Sequence, residues 1–238
     1  MAKKGGDTRV KRQMAPVFWD IRRKESQFVL GVKSGSHSKD RAYPVGIVLR
    51  DVLKLGGTMH EAERIVNTRN VKIDGITVKD INFAVGLMDV IELVSTGQSY
   101  RFVPKNSELL VPLSISDEEK SQKLVKVTNK VTKTGNKLQY SFHDGKTLIS
   151  DQKLMVGDSC LLQIPDNKIN KHIKFAKGCM VLVTRGENAG SIGKVDDIRD
   201  GIFSLPKRAL ISFSDRSIEL PVELVMAIGD DNPIIKVS

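Results

Sequence analysis

Positively charged side chains are concentrated near the N-terminus of the chain. Of the first 50 residues, twelve are Lys or Arg and four are Asp or Glu, which gives this segment a formal charge of +8. The other 188 residues carry only +2 of the total of +10. Lys and Arg side chains neutralise phosphate groups, and a pI near 9.6 is typical of domains with a polyanionic partner. The sequence therefore predicts a basic arm on a nearly neutral body.

Two glycine-lysine pairs could be confused with nucleotide-binding loops. Gly145-Lys146-Thr147 ends like a P-loop, but that motif needs a glycine five residues earlier, where this chain has Tyr140. Gly193-Lys194 is followed by a valine rather than by Ser or Thr. Neither segment can enclose phosphates as a P-loop does, so we expect no nucleotide cofactor.

The residue types that usually carry catalysis or bind metals lack the necessary spacing. The four histidines show no ligand pattern, and Cys160 and Cys179 do not form a Cys-x-x-Cys motif. No Ser/His/Asp order or carboxylate pair stands out. We therefore expect no enzyme activity, no metal, no cofactor and no small-molecule substrate.

Cysteine usage and hydropathy predict a cytoplasmic protein. The two distant cysteines favour a reducing compartment. No stretch approaches the roughly 20 apolar residues that a transmembrane helix needs. The charged N-terminus has no apolar run behind it, unlike a signal peptide.

Residues 1–42 are rich in Gly, Lys, Arg and Ser, with one apolar island at Ala15–Trp19. Trp19, the only Trp in the chain, indicates a segment that becomes ordered on a partner, with the indole packing or stacking there. The compatible alternative is that Trp19 attaches the arm to its own globular body. The segment Lys33–Lys39 is small, flexible and basic, and we expect it to follow a phosphate backbone. We also expect that removing residues 1–42 would leave a folded body with weakened RNA binding.

Two short helices and a small sheet are predicted after the arm. Apolar residues at helical spacing predict a helix over 45–55 that ends at Gly56-Gly57. Thr58 and Glu61 form a capping-box pattern that predicts a second helix to about residue 67. Strands are then predicted at 71–75, 76–78, 86–94 and 100–103, with a turn at Asp74-Gly75.

The remainder of the chain is predicted to be mainly β. A short helix is expected at 117–123. Short strands at regular spacing indicate small barrels; they are expected at 109–113, 124–131, 138–142, 146–149, 159–164, 180–184, 193–198, 202–205 and 208–213.

The unit at 43–103 resembles the S4-type RNA-binding domain, in which a second helix and a first strand form a groove for structured RNA. Glu61-Ala62 with Arg64, Val71–Gly75 and Gly86 with Met88–Ile91 carry this resemblance. The chain has Met59 where the family often has Arg. The alternative is a small αβ unit whose surface charges are merely solvated.

The segment Gly178–Val195 resembles a KOW motif, in which a Gly-rich loop joins two apolar strands. Because glycines leave few side chains on the loop, the backbone of Gly186–Gly190 can approach RNA closely. The alternative is a bare β-hairpin in a small barrel.

Taken in order, these motifs resemble one family over nearly the whole chain: the archaeal/eukaryotic-type small-subunit ribosomal protein four. Further marks are Val10–Ala15 with Pro16 and Trp19, Ser34–His37, Tyr43-Pro44, Leu49–Asp51 and Ile228–Ile235. The chain stops soon after Ile235, without the basic extension of eukaryotic members, which favours the archaeal form. The resemblance implies a structural constituent of the small ribosomal subunit that binds and stabilises folded ribosomal RNA beside neighbouring ribosomal proteins.

The predicted elements and the family resemblance together indicate a fold class and domain boundaries. We expect an α+β, mostly β chain with a basic N-terminal arm at 1–42 and an S4-type helix-helix-sheet domain at 43–105. A central β-rich domain at 106–174 and a KOW-containing, SH3-like small barrel at 175–238 complete it.

The candidate RNA-binding residues are cations, amides and rings on the arm, the second helix and the KOW-like loop. They are Lys3, Lys4, Arg9, Lys11, Arg12, Trp19, Arg22, Arg23, Lys24, Lys33, His37, Lys39, Arg41, Arg50, His60, Arg64, Arg69, Asn70, Lys72, Arg185, Asn188 and Lys194. Two other functions stay open: a non-ribosomal KOW-containing RNA-binding, transcription or translation factor, and an RNA-modifying enzyme with the S4-type unit as an accessory.

Overall fold

The computed structural model describes residues 9–22, 24–135, 137–213 and 216–237. Three five-stranded antiparallel sheets follow one another along the chain, and we call them the first, middle and last sheets. Two short helices pack on the first sheet, and the fold is mostly β, as the sequence predicts.

The N-terminal segment contributes a two-stranded ribbon, and two helices follow it. The ribbon pairs β1 (Arg9–Lys11) with β2 (Phe28–Leu30), and β3 (Tyr43–Pro44) leads into the helices. The helix α1 (Val45–Ile47) continues as a π-helical turn, Val48–Val52, and α2 covers Met59–Asn67.

The capping box of α2 forms as the sequence predicts. The backbone N–H of Glu61 donates to Thr58 Oγ1 at 3.3 Å, and the N–H of Thr58 donates to Glu61 Oε2 at 3.4 Å. This exchange satisfies N–H groups that a helix start leaves without partners. Val48 and Leu49 of the first helical segment and Val66 of α2 then bury their side chains in the first core.

The first sheet has the order β5-β4-β7-β8-β9. Its strands, with the short β6 beside β3, are β4 (Val71–Ile73), β5 (Ile76–Thr77), β6 (Ala84–Val85), β7 (Val90–Leu93), β8 (Gln98–Lys105) and β9 (Glu108–Ser114). The sheet therefore runs nine residues past the domain boundary proposed at 105.

The middle sheet has the order β12-β11-β10-β13-β14. Its strands are β10 (Gln122–Thr132), β11 (Leu138–Phe142), β12 (Thr147–Ile149), β13 (Ser159–Gln163) and β14 (Lys168–Ile173). The long strand β10 pairs with β13 through its first half and with β11 through its second.

The last sheet has the order β18-β17-β16-β15-β19. Its strands are β15 (Met180–Val183), β16 (Ile192–Arg199), β17 (Arg208–Ser212), β18 (Ser217–Pro221) and β19 (Val225–Gly229). Its core is continuous with apolar residues of the two preceding sheets, including Val103 and Leu124.

Two local sequence predictions were wrong. The helix expected at 117–123 is a single 3-10 turn at Glu119–Ser121, because Lys123 is buried and belongs to β10. The strand expected at 202–205 is one isolated bridge between Ile202 and Leu205. The strands β14, β18 and β19 were not predicted; β14 is an edge strand with mostly polar residues, so it lacks an apolar alternation.

A buried ion cluster joins the first sheet to the middle sheet. Lys123 Nζ, on β10, lies 2.6 Å from Asp74 Oδ2, 2.6 Å from Asp89 Oδ1 and 3.0 Å from Asp144 Oδ2. Asp74 and Asp89 come from the turns at the ends of β4 and β7, and Asp144 from the turn between β11 and β12. Lys146 Nζ adds a contact to Asp74 at 3.0 Å. We call Lys123 and these three carboxylates the Lys123 cluster.

Electrostatics favour the charged forms of Lys123 and Asp89. Burial alone would raise the pKa of Asp89, but the charge of Lys123, with His37 beside it, holds this pKa well below its usual range. The three carboxylates likewise raise the pKa of Lys123 against the effect of burial. Buried charges are tolerated only when they are paired. The charged residues that each sheet contributes to the cluster can therefore stay buried only while the two sheets are in contact.

Two further cations, Arg101 and the half-buried Lys126, connect distant parts of the chain through carbonyl groups. Arg101 is 0% exposed; it pairs with Glu119 at 2.7 Å and donates to the carbonyl of Gln122. Lys126 donates to the carbonyls of Val222 and Val225 at 2.6 and 2.7 Å. The middle sheet is thereby tied to both of its neighbours.

Replacing Lys123 with Met should destabilise the protein by about 3–5 kcal/mol, because three buried carboxylates lose the one ammonium group that contacts all of them. Equilibrium unfolding in urea measures this loss. The matched control is Lys133→Met one residue beyond the same strand, where the side chain is exposed and the cost should stay within about 0.5 kcal/mol. Equal stabilities of the two variants would contradict a bridging function for Lys123.

Candidate RNA-binding surface

Trp19 attaches the arm to the body. Its side chain is 2% exposed, and its ring stacks on Tyr43 with centroids 6.2 Å apart. The indole N–H donates to the carbonyl of Ala42 at 2.9 Å, and Tyr43 Oη donates to the carbonyl of Phe18 at 2.6 Å. Of the two compatible interpretations of Trp19, packing on the protein's own body is the one the structure has, and this geometry leaves the indole face closed to an RNA base.

The arm is part of the folded core, so the expectation that its removal leaves an intact body was wrong. Ile21 and Val29 are buried with Trp19 in the same core as the helices. Gly46 lies so close to Leu30 that an added Cβ would be 2.7 Å from it. Deleting residues 1–42 would therefore expose the helices that present the next group of cations.

Cations of the arm remain on the outside of this anchored segment. Those that are exposed are Arg9, Lys11, Arg22, Lys24, Lys33 and Arg41. Lys33 already pairs with Asp80 at 2.7 Å. Arg12 is half-buried and donates to the carbonyl of Ile21, and Lys39 is half-buried. Lys3, Lys4 and Arg23 lie outside the described residues.

His37 is not an RNA-facing side chain, which corrects the sequence interpretation. It is 7% exposed, and its Nε2 lies 3.0 Å from Asp89 Oδ2, beside the Lys123 cluster. Gly86 packs directly on the imidazole, since a Cβ at Gly86 would be 2.5 Å from the ring. At Ser36 and His37 the segment predicted to follow a phosphate backbone therefore packs between the first and middle sheets, where the carbonyl of Ser36 also meets Gly145, while Lys33, Ser34, Gly35 and Ser38 remain exposed.

The second helix exposes His60 and Arg64, two residues that the S4-type resemblance proposes for RNA, beside the carboxylates of Glu61 and Glu63. His60 and Arg64 are four residues apart on α2 and both are exposed, so they share one face. Arg69, exposed, follows the helix in a left-handed backbone conformation, with φ +60°. These three side chains have no ion pair within the described ranges.

The remaining candidates near this face already have partners in the chain. Lys72, on β4, is half-buried and lies 3.9 Å from Glu92. Asn70 Nδ2 donates to Thr68 Oγ1 at 3.0 Å. Arg50, in the π-helical turn before α2, pairs with Asp51 at 2.9 Å.

The glycine-rich loop of the last sheet makes its closest backbone approach to the protein itself. Gly190 has φ +88°, and a Cβ there would lie 2.6 Å from the Cα of Lys105. Ser107 donates its N–H to the carbonyl of Ala189 at 3.0 Å. The loop thus packs against the β8–β9 turn, which explains its glycine at 190 without RNA.

The three candidate residues of this loop do not converge on one point. Asn188 Oδ1 accepts a hydrogen bond from Arg216, and Lys194 Nζ lies 3.3 Å from Asp231. Arg185 has no ion pair among the described residues and is half-buried.

Sequence reasoning missed many exposed lysines on the middle and last sheets, because nearby acids balance them and no charge run marks them. The exposed ones include Lys130, Lys133, Lys137, Lys153, Lys168, Lys171, Lys174 and Lys207. Over the residues that the structure covers, no group of His, Cys, Asp and Glu could hold a metal ion, and no helix is long and apolar enough to cross a membrane.

These features define a class: a modular, mostly β protein whose folded arm and second helix present cations. Comparisons with known proteins identify the family. Residues 96–169 match the model of ribosomal family S4e, and residues 4–40 match the RS4NT (NUC023) domain.

Relatives named small ribosomal subunit protein eS4 match over nearly the whole chain. The one from Pyrobaculum islandicum is 38% identical, covering 96% of this chain and 98% of the relative, and the one from Methanocella arvoryzae is 34% identical, covering 95% and 96%. The crystal structure of 30S ribosomal protein S4e from Thermoplasma acidophilum has a TM-score of 0.70 at 37% identity, covering 81% of this chain and 97% of that one. The chain belongs to the S4e family, and its relatives are of the archaeal type that the sequence indicates.

Because Trp19 is the only Trp, its fluorescence tests the anchoring directly. The free protein should show the blue-shifted emission of a buried indole and weak quenching by acrylamide, and added ribosomal RNA should change neither. Strong acrylamide quenching in the free protein, relieved by RNA, would instead show that the indole stacks on bases.

Proposed function

We propose that this protein is a structural constituent of the small ribosomal subunit that binds and stabilises folded ribosomal RNA. The observation that carries the proposal is the match, over almost all of the chain, to relatives named small ribosomal subunit protein eS4. The implied location is the ribosome in the cytoplasm, and the implied neighbours are ribosomal RNA and other ribosomal proteins. The protein is not an enzyme, in line with its family.

Affinity in this proposal comes from phosphate neutralisation by the exposed arm and the face of α2. Each Lys or Arg that meets a phosphate releases about one condensed counter-ion, so binding weakens steeply with salt. Arg64 and Arg69 are the strongest candidates, because they are exposed and have no acidic partner within the described residues. Lys33 and Arg50 would first have to leave Asp80 and Asp51.

Fit comes from the fixed arrangement of the modules rather than from base reading. Double-helical RNA hides its base edges in a deep major groove and is recognised mainly by shape and by 2′-hydroxyl groups. A protein whose sheets are joined through the Lys123 cluster presents its outer cations at constant separations. Such a body suits the stabilisation of one RNA arrangement.

The two other functions considered from the sequence have less support. A KOW-containing transcription or translation factor needs neither the folded arm nor the helix-helix unit, yet the relatives match through both. An RNA-modifying enzyme would need a catalytic core after residue 106, where the family model for a ribosomal protein matches instead. A KOW-type, SH3-like barrel at 175–238 and the domain boundaries other than that at 105 remain part of the proposal.

Sedimentation of a lysate in mild salt tests the proposal. The tagged protein should run with small ribosomal subunits, and Arg64→Gln/Arg69→Gln should dissociate at lower salt than the wild type, because two phosphate contacts are lost. The matched control is Lys177→Gln/Arg199→Gln, since these exposed cations already pair with Asp197 and Glu219, and it should behave as the wild type. Wild-type protein that stays in free or polymerase-bound fractions would refute the ribosomal function.

A further inference from the structure

A cavity of about 520 Å³ lies where the arm meets the three sheets. Its wall includes Arg41 from the arm, Leu109 and Leu110 from the β8–β9 hairpin, and Val127 from β10. Arg185, in the segment after β15, also lines it. Its volume is within the range of pockets that hold small molecules. We call it the inter-sheet pocket.

Two arginines in the inter-sheet pocket lack an acidic partner. No ion pair or side-chain hydrogen bond involves Arg41 or Arg185 within the ranges that the structure describes. Burial, and then the nearby charge of Arg41, lower the pKa of Arg185. Two guanidinium groups that line one pocket, one of them half-buried, make that pocket favourable for an anion.

Other polar groups in the inter-sheet pocket already form hydrogen bonds within the protein. Lys126 Nζ donates hydrogen bonds to the carbonyls of Val222, Glu223 and Val225. Burial lowers the pKa of Lys126 to about 8. His143 accepts from the N–H of Lys126 and donates to the carbonyl of Leu87. Burial lowers the pKa of His143 to about 4, so the ring stays neutral.

The remaining charged and hydroxyl side chains of the wall also have partners, including His37, whose Nε2 lies 3.0 Å from Asp89 Oδ2. Lys207 pairs with Asp200 at 2.9 Å. Thr128 and Thr184 donate their hydroxyl protons to the carbonyls of Ser141 and Leu224. The one carboxylate in the wall, Glu223, is exposed and weakly offsets the repulsion at Arg185.

Apolar side chains form most of the remaining wall, including Leu109, Val127, Val156 and Met226. The site therefore combines two available guanidinium groups with an apolar surface. A peptide would bring backbone N–H and C=O groups that need partners, and few are free here. A nucleotide brings a phosphate for the arginines and a flat base whose faces need none.

We propose that the inter-sheet pocket captures one unstacked nucleotide of RNA, with its phosphate between Arg41 and Arg185 and its base against the apolar wall. This inference rests on the proposed function in one respect, because the nucleotide is assumed to belong to the RNA that the protein binds. The arm and the last sheet, 144 residues apart at these arginines, would thereby close on the same nucleotide.

Titration of the methyl-labelled full-length protein with adenosine monophosphate tests the pocket by itself. The methyl resonances of Leu109 and Val156 should shift, inorganic phosphate alone should bind more weakly, and Arg185→Gln should weaken nucleotide binding about tenfold, as expected for one charge-assisted hydrogen bond. The control Arg199→Gln, at the exposed end of β16 with its partner Glu219 and outside the pocket wall, should bind like the wild type. Unshifted methyl resonances, or equal affinity for hexaglutamate, would overturn the proposal.

A second variant links the pocket to RNA. Val156 is 60% exposed at its rim, so Val156→Trp should fold normally by urea unfolding and fill the apolar part. It should weaken binding to a small-subunit ribosomal RNA transcript at least fivefold, since it blocks one base. Unchanged transcript binding by this variant, with tight binding by the wild type, refutes the pocket but leaves the ribosomal function standing. Absence of transcript binding in the wild type refutes the proposed function instead, while the mononucleotide titration still reports on the pocket.

Discussion

One buried ammonium group determines how the parts of this molecule fit together. Lys123 Nζ lies within 3.0 Å of three carboxylates, two from the first sheet and one from the middle sheet. The three carboxylates would repel one another in a dry interface, and Lys123 alone would be an unpaired buried charge. Lys123 and the carboxylates can therefore all be buried and charged only when the two sheets are joined in one particular register.

The function we propose depends on that register. His37 contacts Asp89 and fixes this part of the arm at the same interface, while Trp19 fixes an earlier part on Tyr43. Gly190 lets the last sheet close on the β8–β9 turn. The outer cations, such as Arg64 and Arg41, then stand at fixed separations, so one RNA arrangement is favoured over others by shape.

Local patterns in the sequence were sufficient for local structure. The capping box of Thr58 and Glu61, the Asp74-Gly75 turn and most strands of the three sheets follow from spacing and residue type. Burial of polar residues did not follow, because a sequence does not show which charges will meet. Lys123 follows a helix-like acidic segment, and His37 lies among serines and a glycine, so both look like surface residues. Only long-range contacts, with Asp74 and Asp89, make them part of the core.

Native-state hydrogen exchange tests the central claim that the modules open as one body. The slowest amides of β7, β10 and β15, one strand from each sheet, should exchange with the same free energy of opening and the same denaturant dependence. The three strands should share one free energy of opening because the buried ion pairs of Lys123 and the continuous apolar core make it costly for any sheet to open alone. Three distinct free energies of opening in the wild-type protein would contradict the account and describe three independent modules on one chain.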